Sequence, residues 1–181
     1  PFSPIDVIEE YIRPARYVEN GNVVTRHALS DPELIDFDEI GTLESFNTDG
    51  LRSILFTMSH IPNMKEKTLR YPGHIDLIIS LKKAGFFGHD EINVGGKKIR
   101  PIDFTTSLLF DSWKLKEEDD EFTVMKIIVS GEMNGKQTTI EYSLYDQYDA
   151  ATKTIYAAYI MTQIGRPNQE IYDTLTYVGP R

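Results

Sequence analysis

The chain contains no cysteine. That excludes disulfides, thiolate zinc sites and cysteine nucleophiles, and it is compatible with the cytoplasmic setting expected here. No apolar run approaches the roughly 18–20 residues of a membrane span, and no basic-then-apolar secretory start opens the sequence. Positive charge is scarce, with 19 lysines and arginines against 28 acids and a formal net charge of −9. A duplex-binding surface needs a basic patch, so neither nucleic acid nor a membrane is an expected partner. Catalytic signatures are also missing. No Gly-x-Gly-x-x-Gly follows a strand-like run, and there is no P-loop and no nucleophile elbow. Gly95-Gly96 is too short and sits inside a hairpin. The four histidines, at 27, 60, 74 and 89, have no ligand spacing, so no metal site is expected.

What is present reads as α+β, with enough chain to bury a core. SPIDVIEEYI predicts a helix capped by Ser3, opened by Pro4 and ended by Pro14, with Ile5, Ile8 and Ile12 inward. ARYVENGNVVTRHAL alternates around Asn20-Gly21, a strong hairpin signal. GTLESFN (41–47) predicts a strand, 47–50 a turn and 50–58 a helix. Residues 65–71 read as a strand and 73–84 as a helix with Ile75, Ile78, Ile79 and Leu81 inward. Gly85 is its expected C′ residue. INVGGKKIRP is a second hairpin, and Asp103 reads as the cap of a helix sealed by Trp113. The acidic run EEDDE (117–121) reads as a solvated loop. Two long strands, 122–131 and 136–148, join at Asn134-Gly135, and helices are expected over 152–164 and 168–175. Hairpin links and the lack of a βαβ rhythm predict a mixed, largely antiparallel sheet with helices mainly on one face.

Polar residues concentrate where these elements end, in FNTDG (46–50) and EKTLRYPGH (66–74). Arg70 has the planar fork that grips a carboxylate, although by residue type alone a salt bridge to one of the many local acids is the favoured reading. His74 lies in the first turn of its helix, placed either to donate to a substrate or shuttle a proton, or simply to sit half-exposed there. Asn47 and Asp49 suit an amine, and both also stabilise turns. Tyr71 offers a hydroxyl, and Lys67 a strand-face ammonium.

LESFNTDGL, followed after a short gap by NMKEKTLRYPGHIDLIISLKKAGFF, closely resembles the C-terminal catalytic domain of the saccharopine dehydrogenase-like family. RPARYVENGNVV, GGKKIRPIDFTTSLLF and VMKIIVSGEMNGKQTTIEYSLYDQYD fit the same family in order. The resemblance implies one substrate-binding and dimerisation domain over 1–181, similar in fold to the C-terminal domain of glyceraldehyde-3-phosphate dehydrogenase. It would be excised from a parent whose Rossmann domain binds NAD or NADP, and no cofactor is expected in this chain itself. Saccharopine reductases of the family tend to carry Asn-Arg-Asp-Ser where this chain has Asn47-Thr48-Asp49-Gly50, so it resembles the lysine 6-dehydrogenase branch more closely. Near the last helix the family's Ser-Met-Ala-Arg-like run is replaced by Thr154-Ile155-Tyr156-Ala157-Ala158. The implied partners are an amino acid such as lysine or saccharopine and a second copy of the chain. The implied reaction takes a hydride from an amine-bearing carbon, giving an imine that hydrolyses to a semialdehyde. Arg70, Asn47 and Asp49 would bind substrate; Lys67, Tyr71 and His74 would serve catalysis. The alternative is a non-catalytic dimerisation module that retains the family fold.

Overall fold

The first helix, α1 (Pro4–Ile12), stops two residues before Pro14, which cannot continue it. The computed structural model describes residues 4–114, 116, 119, 121–149 and 176–177. They fall into two compact units, one within residues 1–117 and one within 118–180. The class is α+β, and the described strands divide among four small antiparallel sheets.

In the first unit, α1 buries Ile8 and Tyr11 completely, with Val7 and Ile12 at their sides. Ile5, expected inward, is 54% exposed. At about 100° per residue the buried stripe centres between Ile8 and Tyr11, which leaves Ile5 beyond its edge. The hairpin β1 (Ala15–Glu19) and β2 (Asn22–Arg26) forms as expected. Asn20 and Gly21 both take positive φ, as a two-residue turn of this twist requires.

A three-stranded sheet follows, ordered β3 (Glu33–Phe37), β4 (Gly41–Asn47) and β5 (Lys67–Arg70). Strand β3 has no counterpart in the sequence expectations, because acids interrupt its apolar pattern. The helix expected over 50–58 shrinks to one turn, α2 (Ile54–Thr57). Arg52 sits at φ 38°, a conformation no right-handed helix can include. Helix α3 (His74–Lys83) starts after Gly73 and is followed by Gly85, both at positive φ. The hairpin β6 (Ile92–Val94) and β7 (Lys97–Ile99) leads into α4 (Pro101–Ser112). Asp103 does not cap α4. The helix begins at Pro101, whose missing N–H costs nothing there, and Asp103 instead pairs with Arg100 at 2.8 and 2.9 Å.

The main core joins α1, α3 and α4 to one side of β4 through Ile8, Tyr11, Phe46, Ile75, Ile78 and Ile102, with Trp113 at its edge. A smaller core of Tyr17, Val18, Leu51 and Leu55 lies under the first hairpin. The second unit is the hairpin of β8 (Phe122–Met133) and β9 (Lys136–Gln147), with β10 (Thr176–Tyr177) along the start of β8. The helices expected over 152–164 and 168–175 lie outside the described residues, as does most of the acidic run 117–121. Among the described residues no helix is long and apolar enough to cross a membrane, and no acid or histidine cluster could hold a metal ion.

Candidate functional site

Strands β4 and β5 pair in the register Glu44↔Arg70, Phe46↔Thr68 and Asn47↔Lys67. Directly opposed residues share a face, and successive residues alternate. The register therefore sorts the candidate residues onto opposite sides of one small sheet. Arg70 and Thr68 share the side that carries Phe46. Asn47 and Lys67 share the other.

On the Phe46 side, Arg70 is buried and donates from Nη2 to Glu10 Oε2 (3.0 Å), from Nε to Tyr11 Oη (3.1 Å) and from Nη1 to its neighbour's carbonyl, Leu69 O (2.8 Å). The Tyr11 hydroxyl lies 2.9 Å from His74 Nε2. The two rings stand 5.6 Å apart, and Trp113 lies against both, 6.2 Å from Tyr11 and 5.7 Å from His74. α3 is held to α1 by Lys82, whose Nζ donates to the Tyr11 carbonyl at 2.8 Å. α1, β5 and α3 thus each contribute to one hydrogen-bonded line, Glu10–Arg70–Tyr11–His74.

Burial sets the electrostatics of this line. It raises the Glu10 carboxyl above its ordinary pKa and outweighs the opposing charge and hydrogen bond of Arg70. It also raises Tyr11. Burial, joined by the positive charge of Arg70, lowers His74 to about 4, so the ring is neutral at physiological pH.

A second buried group continues the same side. Glu66 Oε2 accepts from the Thr48 hydroxyl in a short hydrogen bond and from the Gly50 N–H at 3.0 Å. Thr48 and Thr68 share a hydroxyl contact at 2.9 Å. Desolvation raises Glu66 against these two donors, and the nearby charges of Glu10 and Asp49 add to the rise.

The remaining candidates are held elsewhere. Asn47 donates through Nδ2 to Ser30 Oγ (3.1 Å) and Asp31 Oδ2 (2.7 Å), and its buried Oδ1 has no partner among the described residues. Lys67 Nζ reaches the Asp31 carbonyl (2.6 Å) and Glu33 Oε2 (2.8 Å). Asp49 receives a two-pronged bond from Arg16, Nε to Oδ1 at 2.8 Å and Nη2 to Oδ2 at 2.9 Å. Desolvation works to raise Asp49, but the hydrogen bonds and charge of Arg16 prevail and hold its pKa below the usual value. Tyr71 turns the corner after β5, where its carbonyl accepts the His74 N–H at 3.2 Å. Arg70 and His74 are therefore brought together, Asn47 and Lys67 meet through Asp31, and Asp49 stands with Arg16.

Glu10, Tyr11 and Glu66 are the residues that sequence reasoning missed. A signal for Glu66 was present, because Glu66, Thr68 and Arg70 repeat every second residue into a strand. Tyr11 stands three residues after Ile8, on the helical stripe that Ile5 does not join. Over residues 1–166 the chain matches the family model of the saccharopine dehydrogenase C-terminal domain.

Proposed function

Because this chain belongs to the saccharopine dehydrogenase C-terminal domain family, and so is a domain of an oxidoreductase, we propose that it forms the substrate-facing and dimer-forming part of an NAD(P)-dependent enzyme acting on a CH–NH group. The substrate is an amino acid of the lysine or saccharopine type, with the lysine 6-dehydrogenase branch favoured by Thr48 and Gly50. The supporting observation is the line Glu10–Arg70–Tyr11–His74, which holds a neutral, half-buried imidazole beside a buried guanidinium. Fixed polar groups of this kind orient a substrate without needing to reorganise. On the family resemblance, the nucleotide that accepts the hydride is assigned to a separate domain of the same enzyme; the expected compartment is the cytoplasm. Arg70 already holds Glu10, which makes it the support of the site more than a free grip for a carboxylate.

The test is steady-state oxidation of lysine, saccharopine and diamines with NAD and NADP by the enzyme that includes the nucleotide domain. We expect turnover of one of these, a loss of about tenfold or more in kcat/KM for His74→Gln, and a dimer by light scattering. Turnover by residues 1–181 alone would sink the proposal. The second reading, a non-catalytic dimerisation module, is favoured by the intrachain engagement of Arg70, Asn47 and Asp49. It gains if His74→Gln leaves kcat/KM unchanged.

A further inference from the structure

Tyr11 is 0% exposed, so its hydroxyl proton needs an acceptor within the protein. Its oxygen makes two hydrogen bonds among the described residues, to Arg70 Nε and to His74 Nε2. A guanidinium has only donors. The oxygen therefore accepts from Arg70, and the hydroxyl proton goes to His74 Nε2. That nitrogen must carry the lone pair, and the imidazole proton must sit on Nδ1. His74 Nδ1 makes no hydrogen bond to any described residue, on a ring that keeps partial contact with solvent. The direction of the line is enforced at its far end, because Glu10 holds the opposite side of the same guanidinium.

We infer that Tyr11 is a positioning residue that fixes His74 as its Nδ1–H tautomer, so that the ring offers a ligand one hydrogen-bond donor and no base. The ligand class is one that presents an acceptor oxygen, a carboxylate or a carbonyl. This assigns His74 to holding the substrate and takes it away from proton abstraction. The ligand half of the inference rests on the function proposed above; the tautomer half does not.

The test begins on the full 181-residue chain without ligand. Two-bond proton–nitrogen NMR correlations of the imidazoles, with His74 identified by its loss in His74→Asn, report which nitrogen is protonated. We expect the Nδ1–H form to dominate in the wild type and the Nε2–H form to dominate in Tyr11→Phe, which keeps the ring and removes the donor. An Nε2–H form in the wild type, or no change in Tyr11→Phe, overturns the inference. The second arm uses the enzyme with its nucleotide domain and whichever substrate of the panel turns over. Loss of one oriented donor to the substrate should raise KM roughly tenfold in Tyr11→Phe while kcat moves by less than about threefold. A collapse of kcat at unchanged KM would instead make His74 a base. If nothing in the panel turns over, the proposed function fails, and the NMR result still decides the role of Tyr11.

Discussion

A Cβ at position 50 would lie 2.5 Å from Glu66 Oε2 and 2.7 Å from its Cγ, although Gly50 does not take a left-handed conformation. Glycine is needed there for space, because a buried carboxyl side chain fills the volume a larger residue would take. Gly50→Ala should expel Glu66 from its two donors and lower stability by about 1–3 kcal/mol in a urea titration. Glu66→Gln should do the reverse at neutral pH. A carboxyl whose folded pKa is raised contributes stability that is present below its ordinary 4.5 and lost as pH rises through the folded value. The amide is neutral throughout and can still accept from Thr48 and Gly50. The variant should therefore be more stable than the wild type at pH 7, with the gain vanishing near pH 4.5. His74 has the opposite slope. Its folded pKa, about 4, lies below the ordinary 6.5, so the unfolded chain takes the proton first as pH falls. The His74 contribution, read as the difference in urea midpoint between the wild type and His74→Gln, should fall between about pH 6.5 and pH 4 and level off below.

At the scale of elements, the break at Pro72-Gly73 carries a strand into a helix. Gly73 takes φ 92°, with open space around its missing Cβ. Gly73→Ala should therefore cost about 1 kcal/mol through backbone strain alone, measured by the same titration, with α3 helicity retained. The elements most legible in the sequence are those with local punctuation. Asn20-Gly21, Gly95-Gly96 and Asn134-Gly135 each sit at positive φ between paired strands, and Pro14 and Gly85 bound their helices. What was not legible depended on distant partners. β3 forms because β4 offers it an edge, and α2 is cut short by a backbone reversal at Arg52 that no propensity announces. At the candidate site, Arg70 and His74 were visible as residue types at an element junction. Their organisers, Tyr11 and Glu10, lie about sixty positions away on α1.

At the scale of the molecule, the net charge of −9 is spread over acids that titrate in opposing directions. Glu10 and Glu66 are raised and Asp49 is lowered. Acidification therefore releases strain at the first two while it breaks the Arg16–Asp49 link between β1 and the end of β4. The β4–β5 register has a consequence for how this domain can change. Neighbouring positions answer to different surroundings, and alternate positions answer to the same one. Thr48 and Thr68 share one network, whereas Asn47 and Lys67 meet through Asp31 on the opposite side. Mutational interdependence should follow a two-residue rhythm. Double-mutant cycles should give a coupling of at least about 0.5 kcal/mol for Thr48→Val with Thr68→Val, and simple additivity for Lys67→Met with Thr68→Val, although the latter pair is adjacent in the chain. An evolving lineage could then rework one side of this sheet while the other stays silent, and compensating substitutions would skip every second residue.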